Sequence, residues 1–207
     1  MGEERSALPG QWREKLPELL AQDERFAREF ARQQGDLLAL RQRCGETARL
    51  LVLGNYLKEA LTAARDSLDE GKLANAISGM SFLMADKKYQ RLEKIREQGR
   101  ALQADMTPFC TRLSALGIEV QIDVSAEIEG LDDDSGRMMA VLGISNGHMS
   151  PDDEVDKIRI KWGSGTERLH RLLEELKAFH EERLSLLARK QSAFERLLEN
   201  AGGAAKG

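Results

Sequence analysis

The densest groups of reactive side chains in this 207-residue chain are two acidic clusters, Asp132-Asp133-Asp134 and Asp152-Asp153-Glu154. Carboxylates at this density can hold a cation, serve acid–base chemistry, or present a charged face to a basic partner. Spacing decides among these. A calcium loop beginning at Asp132 needs glycine at its sixth position and glutamate at its twelfth, and those positions hold Arg137 and Gly143. Carboxylate pairs on a highly charged surface are no evidence for a tuned general acid or base. A docking face is what remains. The six acids are expected to meet a protein partner with a basic surface, a complementarity that mainly speeds and selects encounters.

Other candidate chemistries fail on spacing. The three histidines are His148, His170 and His180, and the last two lie ten residues apart, on different faces of one helix. Neither a His-Glu-x-x-His nor a paired Cys-x-x-Cys motif occurs. Gly163-x-Gly165 follows an expected strand and precedes an expected helix, a place where anions bind, but the rest of the dinucleotide fingerprint is missing. These absences predict no catalytic residue, no metal and no cofactor. A basic run offers the alternative function, a nucleic-acid accessory protein: Lys87, Arg91 and Lys94 share a helical face, as phosphate binding requires. The competing explanation is the solvated outer face of a coiled coil with charges of alternating sign.

Charge is unevenly placed. Residues 117–156 hold eleven acids and one base, Arg137, a net of −10; the whole chain carries −4, so the remainder carries +6. Such a split can report a partner surface. Charged residues make up 32% of the chain and aromatics only 5%, a mixture that suits long helices with narrow apolar seams. No run of about 18 apolar residues is present, so no membrane span is expected. The first ten residues lack the apolar core of a secretion signal. Cys44 and Cys110 sit within helical apolar patterns and read as reduced thiols of a cytoplasmic protein.

The elements that carry these residues follow from periodicity. Phe26, Phe30, Gln33, Leu37, Leu40, Cys44, Thr47, Leu51 and Gly54, then Leu57, Leu61, Ala64 and Leu68, form a heptad stripe. Glu70-Gly71-Lys72 reads as the turn that ends it, and Gly35 as a candidate break. A second stripe runs Leu73, Ile77, Met80, Met84, then Leu92, Ile95, Gly99, Leu102, Met106, Phe109, Leu113 and Leu116, with Pro108 as a candidate kink. Folded about residues 70–72, the two stripes pair with residue numbers summing to 141 to 143, Cys44 meeting Gly99. That near-constant sum is the mark of an antiparallel hairpin.

Beyond residue 117 the period changes to two. Ile118, Val120, Ile122 and Val124 alternate with polar residues, as do Ile158, Ile160 and Trp162, and Met138 to Ile144 is a short apolar run. Three antiparallel strands in a meander are expected, covered by helix ends or by Trp12, Leu16, Leu19 and Leu20. Ser164 or Thr166 would cap a last helix with the stripe Leu169, Leu172, Leu176, Phe179, Leu186, Ala193 and Leu197.

The expected fold is therefore α+β and predominantly α. It combines an N-terminal segment and helical hairpin (1–116), an acidic three-stranded β insert (117–163), a third helix on the hairpin (164–200) and a disordered tail (201–207). The expected function is a non-enzymatic, cytoplasmic coiled-coil scaffold or adaptor. Its partners would be a protein docked on the acidic insert and, through the helical seams, a second copy in a homo-oligomer. Richness in Leu, Arg and Ala suggests a bacterial source.

Overall fold

The computed structural model describes residues 10–77, 82–128 and 151–204. Among them the chain forms four helices: α1 (Gly10–Gln22), α2 (Glu24–Ile77), α3 (Phe82–Ala115) and α4 (Pro151–Ala204). The chain divides into two compact units, one of residues 1–48 with 178–207 and one of residues 49–177.

In residues 49–177, α2, α3 and α4 each bury one stripe. Leu50, Leu57, Leu61, Ala64 and Leu68 are buried on α2, and Leu92, Ile95, Leu102, Met106, Phe109 and Leu113 on α3. On α4 the buried stripe is Val155, Ile158, Trp162, Gly165, Leu169, Leu172 and Leu176, which alternates steps of three and four. Both α3 and α4 run antiparallel to α2. The Arg91 guanidinium donates to the Leu68 carbonyl at 2.9 Å, and Gly54 sits beside the Phe109 ring and Leu173. Gly165 packs near Leu61, and Gly163 near Arg65. Gly54 lets two large side chains approach the α2 backbone: a β-carbon there would stand 3.0 Å from the Phe109 ring.

The unit of residues 1–48 and 178–207 has its own core. Leu16, Phe26, Phe30 and Leu198 are buried together, with Leu19, Leu20, Phe194, Leu197 and Ala201 packed around them. The Phe30 and Phe194 rings lie 5.2 Å apart, and Lys190 reaches Asp36 at 3.1 Å, so α2 and α4 are antiparallel here too. Asp23 separates α1 from α2 and caps α2, its carboxylate accepting the Arg25 and Phe26 amides at 2.9 and 3.0 Å.

Several expectations are corrected. The β-meander is absent from the described residues. Residues 118–128 are extended but pair with no strand, and Ile158, Ile160 and Trp162 are helical. Their five-residue alternation is overridden by the longer heptad from Val155 to Leu176: Ile158 and Trp162 are buried four residues apart, while Ile160 is 67% exposed. The middle strand, Met138 to Ile144, lies outside the described residues. Gly163, Ser164 and Gly165 continue α4 instead of preceding it, and Thr166 donates to the Trp162 carbonyl of the preceding turn. No turn forms at 70–72; α2 continues to Ile77. One glycine in an otherwise sound helix costs about 1 kcal/mol, too little to stop it. The hairpin register moves with the turn, since observed neighbours sum to 159 and 163. Cys44 accordingly does not meet Gly99. α2 passes through Gly35, and α3 through Pro108. α4 extends to Ala204, into the expected tail, and Ala201 packs on the Leu198 cluster.

Gly45 has nothing within 4 Å of where a β-carbon would stand. Gly45→Ala is expected to stabilise the protein by about 0.5–1 kcal/mol through helix propensity alone, read as a raised urea midpoint.

Candidate functional site

The segment 118–128 is the one long non-helical stretch among the described residues, and it does the most specific chemistry. It leaves α3 through a tight reversal. Leu116, Gly117 and Ile118 donate to the carbonyls of Leu113, Ser114 and Leu113. Gly117 takes φ +84°, a conformation that a side chain disfavours. The chain then doubles back along α3. Val124 meets Gln103, and Ala126 meets Gly99 one helical turn earlier.

This strap lies between α3 and α4. Ile122, Val124, Ala126 and Ile128 are buried on one side, and Glu119, Gln121, Asp123 and Glu127 are exposed on the other. Two glycines make the room. A β-carbon on Gly99 would collide with that of Ala126 and stand 2.9 Å from its Cα. One on Gly165 would stand 3.1 Å from Val124. A strap without strand neighbours must satisfy its buried backbone groups otherwise. Val124 does so through side chains of two helices: its N–H donates to Gln103 Oε1 at 2.8 Å, and its carbonyl accepts from Trp162 Nε1 at 2.8 Å. Trp162 itself is fully buried.

Charge closes the outer edge. Lys161 Nζ lies 2.7 Å from Asp123 Oδ2 and donates to Ser125 Oγ at 2.9 Å. Asp123 Oδ1 accepts the Ser125 amide and hydroxyl. Partial burial alone would raise the Asp123 pKa, but the Lys161 ammonium and the Ser125 donors outweigh it and hold the carboxyl below its usual range. This contribution is present above the unfolded aspartate range and fades as pH falls through the lowered value. Cys110 also faces the strap; burial pushes its thiol up, against a smaller opposing effect of an Ile122 backbone hydrogen bond. Cys44 and Cys110 are both free.

The expected site residues are scattered. Asp132, Asp133 and Asp134 lie outside the described residues. Asp152, Asp153 and Glu154 are in the first turn of α4 behind Pro151. Carboxylates there complement the helix dipole, and proline suits the first helical position; the pattern is a helix start inside the span expected to be a β insert. Asp153 is exposed and Glu154 half-buried. In the basic run, Arg91 is spent on the Leu68 carbonyl, which ties α3 to α2, and Lys94 is exposed. Val52 and Tyr56, 72% and 61% exposed, lie one turn apart on α2 outside its buried stripe. The residues missed by sequence were Gln103, Trp162 and Gly99. The heptad from Val155 through Trp162 to Leu176 was a signal that could have placed Trp162 in a helical core.

Among the described residues no group of three or more His, Cys, Asp or Glu could hold a metal ion, and no helix is long and apolar enough to cross a membrane. No family model matches the chain, and neither a curated protein nor a solved structure matches it.

Proposed function

We propose that the protein is a non-enzymatic helical scaffold or adaptor of the cytoplasm, and that its acidic segment receives a partner protein with a basic surface. The observation that supports this most is the outward row of the strap. Glu119 and Glu127 project from an element whose other face is fixed to two helices, with Asp123 between them paired to Lys161. Holding carboxylates outward on an anchored segment lowers the ordering cost of binding. These carboxylates are part of the −10 net charge of residues 117–156, whose field attracts a basic partner.

The test is charge reversal across the acidic segment. Glu119 and Glu127, both exposed, would be changed to lysine together with Asp132, Asp133 and Asp134. Capture of proteins from lysate of the source cells is then compared with wild type. Partners retained by wild type, eluted by salt and lost from the reversed protein are the expected outcome, with the far-ultraviolet circular dichroism unchanged. Equal retention by both proteins would contradict the proposal and move the interface to the helices.

A further inference from the structure

We propose that the groove between α3 and α4 is a binding site for an extended segment of alternating pattern, that the strap fills it within one chain, and that the strap of a second copy can fill it instead. The occupant is defined by what the groove recognises. Gly99 admits a small side chain, Ala126. Gln103 and Trp162 take up the N–H and C=O of one residue, Val124, as an extended peptide requires. Lys161 reads Asp123 and Ser125 just outside the apolar row. A second copy carries the same residues, so exchange reproduces every one of these contacts and strains none.

The joints permit the exchange. On one side the strap is joined to α3 by a single left-handed residue, Gly117. On the other, twenty-two residues separate Ile128 from Pro151. What favours closure within one chain is the local concentration of a tethered segment, on the order of millimolar, and the return bend at Gly117. A side chain at Gly117 disfavours the bend and leaves all groove contacts intact. The strap then points away from its own groove while a partner's groove still accepts it.

The test uses the full chain with Trp12→Phe, so that Trp162 is the only tryptophan emitter. Molar mass by light scattering is measured from micromolar to millimolar for this background and for the same chain with Gly117→Val. The expected result is a dimer of Gly117→Val at concentrations at least tenfold below any dimer of the background, with Trp162 emission blue-shifted as in a buried site. Adding Gly99→Leu, which fills the groove, should abolish that dimer. A monomeric Gly117→Val chain with either buried or exposed Trp162 would overturn the proposal, as would a dimer that survives Gly99→Leu. If Gly117→Val does not fold, a synthetic peptide of residues 117–128 is added to the chain carrying Val124→Asp, which weakens its own strap. Recovery of the blue-shifted emission supports the proposal, and no recovery at millimolar peptide overturns it.

Discussion

Trp162→Ala should lower the unfolding free energy by about 3–5 kcal/mol, the range for removing a large aromatic from a core. Trp162 is fully buried, and its indole N–H donates to the Val124 carbonyl at 2.8 Å. Alanine therefore leaves a cavity and an unsatisfied acceptor together. Trp162→Phe separates the two effects. It keeps most of the apolar volume and removes the N–H, so a smaller loss of about 1–3 kcal/mol is expected. Urea denaturation of the three proteins measures both. A loss under about 1 kcal/mol for alanine would mean that the residue is not the shared core of strap and helices.

The second large effect has an unusual sign. Gly99→Ala adds the best helix former in place of a poor one, worth about 1 kcal/mol in an open helix. At this position the new methyl meets the Ala126 β-carbon and backbone, which cannot rotate away. Overpacking of this kind costs about 1–3 kcal/mol. The net expectation is destabilisation, whereas the same substitution at Gly45 stabilises. Ala126→Gly should rescue Gly99→Ala in part, because the two sites are in contact and their effects should not add. Stabilisation by Gly99→Ala, equal to that of Gly45→Ala, would show that the strap does not rest on α3.

The helical stripes were legible in the sequence. Phe26, Phe30, Leu37, Cys44, Leu57, Leu61 and Leu68 are buried as their spacing requires. Their register was not. A heptad stripe maps onto itself after a shift of seven residues, so a constant sum of residue numbers fits many turns. The choice at Gly71 rested on one weak helix breaker. The alternation at 118–124 predicts a strand and no strand forms there, although Ile122 and Val124 are buried and Gln121 and Asp123 exposed. A strand predicts backbone neighbours, whereas Val124 finds Gln103 and Trp162, twenty-one and thirty-eight residues away. Nothing local in the sequence announces such partners. Trp162 was misplaced because Ile158, Ile160 and Trp162 fit a strand over five residues, while the helical pattern needs the window from Val155 to Leu176 to emerge. Of the candidate site, the acidic character of 117–156 was plain. The place of Asp152, Asp153 and Glu154 at the start of α4 was not, because an acidic cluster after Ser150-Pro151 looks the same in a loop as in a first helical turn.

The central claim is that residues 118–128 are anchored to α3 and α4 by side chains rather than by a sheet. Amide hydrogen exchange resolved by residue tests it most directly. The account predicts strong protection of the Val124 amide, bonded to Gln103, between weakly protected Asp123 and Glu127, and loss of that protection in Gln103→Ala. Uniform exchange of the whole segment at unfolded-chain rates would contradict it.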